Sequence, residues 1–309
     1  MTLRQKSKYL YFLILLCLFW VAATCEKTTN GGAEIDPDED WMNVFDWSSS
    51  WNRANNKIAY MHATNDTTDI IYPSGIYVMD TDGGNRTRIF QSRRVIDLDW
   101  SPDGQWVVAN EHGFLFKISY PDGDVDTLLR GSEYYYPAWS PDGSKIACVL
   151  RAGTDRGIYT LNPDGSDYRL LIQYGDYPAW YSPDSILYLN HAPDFPFRSI
   201  CISDASGQNK RVVVHDSTNY ILQFDNISAH FETKRIAASA VIPGAPPDLY
   251  IYDMGENELR RFLKMADYPD FSPDGDSIVY TDIRVGYGNL NLICWDSSGW
   301  RQLTEPVGP

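Results

Sequence analysis

The sequence predicts an all-β fold, a six-bladed β-propeller of four-stranded antiparallel blades, and three observations carry that prediction. A turn motif returns along the chain with a period close to 45 residues, the length of a four-stranded blade. A second turn motif follows each copy in the same order. The composition also suits a pleated, half-buried surface: aromatic residues make up 14% of the chain, with 21 Tyr and 10 Trp, beside 22 Gly and 18 Pro for turns.

The first motif is Trp100-Ser101-Pro102-Asp103-Gly104, repeated as Trp139-Ser140-Pro141-Asp142-Gly143 and Phe271-Ser272-Pro273-Asp274-Gly275, and trimmed at Tyr181-Ser182-Pro183-Asp184. Degenerate copies are read at Trp47-Ser48 and Ile227-Ser228, which places the serines 53, 39, 42, 46 and 44 residues apart. Each copy has the same grammar. A short extended run enters the motif, and Pro-Asp-Gly makes the turn because Pro presets φ, Asp bonds its own backbone and Gly accepts a positive φ. A second strand leaves it (Trp106–Ala109, Ile146–Val149, Ile278–Tyr280).

The third strand alternates apolar residues and ends in an acidic, glycine-containing turn, as in Ile76–Asp80 before Asp82-Gly83 and Ile158–Asn162 before Asp164-Gly165. The fourth is an outer strand such as Arg88-Ile89-Phe90, Arg169-Leu170-Leu171 or Arg301-Gln302-Leu303. The expected blades span 43–91, 92–131, 132–173, 174–216, 217–264 and 265–305 of a propeller domain at 43–309. The first begins with its inner strand and the last ends with its outer one. The ring is therefore expected to close by packing of blade one on blade six, without a swapped terminal strand, an expectation that fails if 33–42 pairs with blade six.

Ahead of the repeats the chain changes character. Met1 to Lys8 is basic and Tyr9 to Ala23 is an apolar run of 15 residues. At 1.5 Å per residue such a run falls short of the roughly 30 Å hydrocarbon core, so 1–24 reads as a secretory signal peptide. Val21-Ala22-Ala23-Thr24-Cys25 resembles a bacterial lipobox, although Ala22 and Thr24 stand where that pattern prefers Leu and a smaller residue. The resemblance implies lipid attachment at Cys25. Residues 25–42 then form an acidic linker with too little apolar surface to fold. Localisation follows as a periplasmic or outer-membrane lipoprotein of a bacterium; cleavage near Ala23 would instead give a soluble secreted protein.

The first 24 residues carry three cations and no acid, so the −15 of the whole chain leaves −18 on the remainder. That charge excludes nucleic acid as a partner, because phosphate binding rests on Lys and Arg. Of the five cysteines, Cys148, Cys201 and Cys294 fall inside strand-like runs, without a Cys-x-x-Cys, and read as small buried hydrophobes.

The paired turn motifs resemble the propeller repeats of the TolB family, over roughly Asn43 to Thr304. The resemblance implies a periplasmic protein-binding propeller. The chain departs from it in lacking the family's amino-terminal α/β domain before blade one and in carrying the lipobox-like segment.

Chemistry is sparse. There is no Gly-x-Ser-x-Gly elbow for a serine hydrolase, and the five histidines are scattered without ligand spacing. No catalytic residue, metal site or cofactor is assigned. Asp103, Asp142, Asp184 and Asp274 are turn formers. Ligand contacts are expected in the loops leading into the inner strands, at one mouth of the channel: Arg93, Arg94, Tyr134, Tyr135, Asp176, Tyr177, Tyr220, Asp267 and Tyr268. Rigid Tyr faces and Arg suit the capture of a protein or peptide of the cell envelope. A carbohydrate-binding or carbohydrate-cleaving propeller is the alternative, favoured by two close acids outside turns and flanked by Trp; the competing structural role for the Tyr-Pro pairs is to wedge neighbouring blades.

Overall fold

A computed structural model describes residues 44–64, 73–131, 133–192, 199–214, 222–284 and 288–304. Blade one contains β1 (Val44–Trp51), β2 (Lys57–Thr64), β3 (Gly75–Asp80) and β4 (Thr87–Gln91), and blade two β5 (Val95–Trp100), β6 (Trp106–Glu111), β7 (Phe114–Ser119) and β8 (Val125–Arg130). Blade three is β9 (Tyr134–Trp139), β10 (Ile146–Leu150), β11 (Gly157–Leu161) and β12 (Arg169–Gln173); blade four is β13 (Gly175–Ser182), β14 (Ser185–Asn190), β15 (Ser199–Asp204) and β16 (Arg211–Val214). Blade five holds β17 (Gln223–His230), β18 (Arg235–Val241), β19 (Asp248–Asp253) and β20 (Glu258–Leu263), and blade six β21 (Ala266–Phe271), β22 (Ser277–Asp282), β23 (Asn289–Cys294) and β24 (Arg301–Gln302).

Each sheet is antiparallel with its strands in chain order, so the fold is an all-β, six-bladed propeller without a strand exchanged between blades among the described residues. The second and third strands are almost wholly buried, whereas fourth strands such as β4 and β12 are largely exposed. Ala33 to Met42, the segment that bears on ring closure, lies outside the described residues, as do Cys25, the signal segment and Tyr220.

The turn after each first strand is built as its residue types demand. Ser101 Oγ donates to Asp103 and accepts from Trp106 N at 2.9 Å, and the Ser140–Asp142 and Ser272–Asp274 pairs repeat this. In blades one and five the register differs from the sequence reading. The backbone bond that Ser101, Ser140 and Ser272 make across this turn is made by Asn52, to Lys57 O at 2.7 Å, and Asn52 Oδ1 accepts from Ala54 N at 2.7 Å. His230 takes the same place in blade five, its Nδ1 accepting from Thr233 N at 3.3 Å. Ser48 and Ser228, read as turn serines, lie inside the first strands instead. Any side chain that can accept from the turn backbone does the work of Ser here, so the blade count stands while these two copies shift.

The second turn motif joins the blades. A Cβ on Gly83 would lie 2.5 Å from the Leu303 carbonyl oxygen of blade six, and one on Gly165 would lie 2.9 Å from that of Leu128 in blade two. Gly123 and Gly207 meet the outer strand of the preceding blade in the same manner. Glycine is needed twice over, for a positive φ (+87° at Gly83) and for close backbone approach. The seam between blades six and one is therefore latched like the interior seams. Arg86 donates to Leu303 O at 2.7 Å, Arg301 to Thr81 O at 2.6 Å, and Asp46 N to Gly288 O at 2.7 Å.

Candidate functional site

The six first strands share an irregularity. β1, β9, β13, β17 and β21 each carry a β-bulge, and the bulged residues Ser48, Tyr136, Tyr177, Asn226 and Tyr268 all have φ between 40° and 51°. β5 shifts register at the same point, at Asp97. A left-handed φ is strained for residues other than Gly, and a bulge re-aims the side chain it carries. Here it turns one side chain per blade toward the axis. Two residues later comes a second ring: Ser50, Asp99, Ala138, Ala179, Ser228 and Asp270. Both rings line a cavity of about 190 Å³.

This cavity extends from the bulges to the Ser-Pro turns, taking in Ser101, Pro102, Ser140, Pro141 and Arg53. It reaches the face that carries the turns after each first strand, here the turn face. The opposite, loop face carries the connections between blades. At the inner end the Tyr136 and Tyr177 rings stack with centroids 4.0 Å apart, and the Tyr136 hydroxyl donates to that of Tyr177 at 2.9 Å. Burial raises the phenol pKa of Tyr136, Tyr177 and Tyr268, and each also senses a carboxylate of another blade, Asp97 or Asp225. The three tyrosines thus converge near the axis and floor the cavity.

Three carboxylates stand in its walls. Asp97 accepts from Ser48. Asp99 accepts from Ser50 Oγ of blade one and from Trp139 N of blade three, both at 2.7 Å. Asp270 accepts from Ser228 Oγ of blade five and from Trp51 N of blade one, again at 2.7 Å. Each of the latter two ties its own blade to both neighbours. Burial pushes the carboxyls of Asp97 and Asp99 up to about 7 and raises that of Asp270, against the opposing hydrogen bonds.

The loop-side residues expected at a channel mouth have several destinations. Tyr177 and Tyr268 line the cavity. Tyr134 is buried in the core between blades two and three. Tyr135 lies under the Arg151 guanidinium, 5.0 Å from its ring centroid, and Arg151 also overlies Tyr136 at 4.9 Å and Tyr177 at 5.8 Å. Asp176 is buried and ion-paired with Arg151 at 2.8 Å. Asp267 accepts from Asn226 Nδ2, Ser239 Oγ and Tyr268 N, holding the bulge of its own strand. Arg93 and Arg94 are exposed on the loop before β5.

Asp176 and Arg151 accordingly brace the tyrosine floor. Asp176→Ala is expected to cost about 1–3 kcal/mol, the range for removing one partner of a charged hydrogen bond that keeps some solvent access. Thermal denaturation of the variant checks this, and an unchanged melting temperature would refute the bracing role.

The sequence reading missed the channel acids. Asp97 and Asp99 sit in Ile96-Asp97-Leu98-Asp99, which reads as a half-exposed alternating strand, and Asp270 sits beside a turn. Aligning all six copies on the turn residue (Asn52, Ser101, Ser140, Ser182, His230, Ser272), with one residue inserted in blade four, brings the two rings into two columns.

Repeats, topology and channel together define a six-bladed β-propeller. In sequence the chain is similar to the Tol-Pal system protein TolB of Anaeromyxobacter dehalogenans, 27% identical over 101 residues that cover 31% of this chain and 23% of that protein. In structure it is similar to TolB from Acinetobacter baumannii, with a TM-score of 0.64, 14% identity, and coverage of 84% of this chain and 62% of the other. It is also similar to an oligogalacturonate lyase in complex with manganese, with a TM-score of 0.56, 13% identity, and coverage of 84% and 78%. No family model matches the chain. Among the described residues no three His, Cys, Asp or Glu side chains form a group that could hold a metal ion.

Proposed function

We propose that this chain is an exported, non-enzymatic binding or scaffold propeller of the bacterial cell envelope, anchored by a lipid on Cys25, that engages a protein or peptide through its central channel. The observation that carries the reading is the channel itself, floored by tyrosines and reaching the turn face, with polar walls held rigidly by bonds between blades. The similarity to TolB supports a protein partner. The cavity's reach moves the expected contact from the loop face to the turn face.

The carbohydrate alternative has one feature in its favour, since Asp97 and Asp99 are acids outside turns with Trp100 and Trp139 nearby. Both oxygens of Asp99 and of Asp270 are nevertheless committed to neighbouring blades. The two indoles are packed in the blade interfaces, 4% and 8% exposed, not laid open as sugar platforms.

Photo-cross-linking distinguishes these faces. A benzoylphenylalanine placed at exposed Phe231, on the turn face, is expected to yield a discrete adduct with an envelope protein in cells, and one at Arg93 none. Adducts only from Arg93, or from neither, would refute the reading. Cys25→Ala is expected to abolish incorporation of labelled palmitate and to release the protein from the membrane fraction.

A further inference from the structure

The two faces of the ring differ in charge. Connections on the turn face carry thirteen acids against five cations, whereas those on the loop face carry six acids against seven cations. Among the described loop-face residues the balance is Arg93, Arg94, Arg151, Arg156, Lys264 and Arg284 against Glu133 and Asp155. Arg151 and Arg284 are ion-paired with Asp176 and Asp282, while Arg93, Arg94 and Lys264 are exposed. On a body of −18, an anionic surface is repelled by the turn face and tolerated by the loop face.

The loop face also presents apolar groups at two separated points. Val241 to Pro247, which joins β18 to β19, contains no charged or hydrogen-bonding side chain. Its tip is a fixed turn: the Ile242 carbonyl accepts from Ala245 N at 2.9 Å, with Pro243 presetting φ and Gly244 at φ +86°. Ile242 is 39% exposed, and a Cβ on Gly244 would meet nothing within 4 Å, so the tip stands clear of the body. In blade two, opposite blade five in a ring of six, Phe114 opens β7 on the same face and is 40% exposed. The Arg130 guanidinium lies 5.4 Å from its ring centroid. Interfacial binding to a bilayer draws on buried apolar area together with attraction of Lys and Arg to anionic headgroups. Two small apolar points on opposite blades, with cations between them, match a broad flat surface. Phe231 and Trp300, exposed on the other face, stand among the acids of the turns.

The chain itself supplies a reason for that surface to be close. β1 enters the ring at Val44 from the loop face, nineteen residues after Cys25, a reach of about 65 Å at full extension. Such a tether holds the ring near a bilayer without orienting it. Resting on the lipid-anchor reading above, we propose that the loop face docks on an anionic lipid surface. Ile242 and Phe114 enter the headgroup layer, and Arg93, Arg94 and Lys264 meet the phosphates. The turn face, with the channel, is then presented away from the membrane.

The full-length protein, reconstituted in phosphatidylcholine vesicles with or without phosphatidylglycerol, tests this with benzoylphenylalanine at Ile242, Phe114 or Phe231. Phospholipid adducts, read as a mass shift on the labelled peptide, are expected from the first two positions in the anionic vesicles and not from Phe231. Arg93→Gln with Arg94→Gln and Lys264→Gln should cut those adducts about fivefold or more, at an unchanged melting temperature because all three side chains are exposed. Equal adducts from Phe231, or undiminished adducts in phosphatidylcholine alone, would reduce the contact to tethering and overturn the inference. Palmitate incorporation without adducts from Ile242 or Phe114 would overturn the docking and leave the anchor standing. Adducts from those positions without palmitate incorporation would remove the anchor and keep the docking, and the absence of both would overturn both.

Discussion

Gly83→Ala should unfold the ring at a markedly lower temperature than Gly131→Ala, although the two glycines share nearly the same backbone angle. Their φ values are +87° and +89°, but a Cβ at 83 would lie 2.5 Å from the Leu303 carbonyl oxygen, whereas one at 131 would meet nothing within 4 Å. Gly131→Ala thus measures backbone strain alone, about 1 kcal/mol. Gly83→Ala adds the clash across the seam between blades six and one, for a total of about 3 kcal/mol. At about 2–4 °C per kcal/mol for a domain of this size, the two melting temperatures should differ by about 4–8 °C. Gly165→Ala, against Leu128 O in an interior seam, should fall close to Gly83→Ala. Equal melting temperatures for the 83 and 131 variants would remove the latch from the account of ring closure.

Stability should also fall as pH rises from about 4 to about 7. In the folded ring Asp97 and Asp99 hold their protons up to about pH 7 because burial disfavours their charge, against 3.8 for an unperturbed Asp. Across that window the folded state binds more protons than the unfolded chain, so each step up in pH favours unfolding. The turn acids act oppositely and lower down. Asp142 and Asp274 are held below 3.8 first by their serine partners, so their stabilisation is present above that value and lost beneath it. The melting temperature should therefore peak near pH 4 to 5. Cavity water screens the channel carboxyls, which leaves about 1–2 kcal/mol for each across the window. Asp97→Asn is the cleaner variant, because its amide oxygen can still accept from Ser48 while the titrating group is gone. Calorimetry from pH 4.5 to 8 should show a flatter profile for that variant, and a parallel profile would sink the assignment.

The architecture was legible in the sequence because each turn is specified locally. Pro102-Asp103-Gly104 and Asp82-Gly83 state their geometry in residue types, and the six-fold order of two such turns leaves one ring topology. Two of the six copies were misread by a few residues. The turn asks only for an acceptor near its first residue, and Asn52 and His230 meet that demand without looking like serine. The site was much less legible. Which side chains reach the axis is decided by bulges, and a bulge depends on pairing with the next strand, which the order of residues does not state. Asp176 and Tyr135, plausible ligand contacts on a loop, are drawn inward by Arg151, some fifteen to twenty-five residues away along the chain. Tyr136 and Tyr177 stack on each other at the inner end of the cavity, whose lining runs on to the Ser-Pro turns and not to the loops from which a ligand was expected.

The carboxylate clasps are unevenly shared. Asp99 spans blades one to three and Asp270 spans blades five, six and one, each beside the apolar clusters of those seams, while blades four and five are joined by an apolar cluster that includes Leu187, Leu189, Ile200, Phe224, Ile236 and Ala238, with no such clasp among the described residues. Apolar attraction weakens on cooling, whereas a hydrogen bond to a carboxylate does not share that temperature dependence. Chilling and alkali should accordingly loosen the ring at different places, the cold at blades four and five and the alkali at the clasped blades on either side.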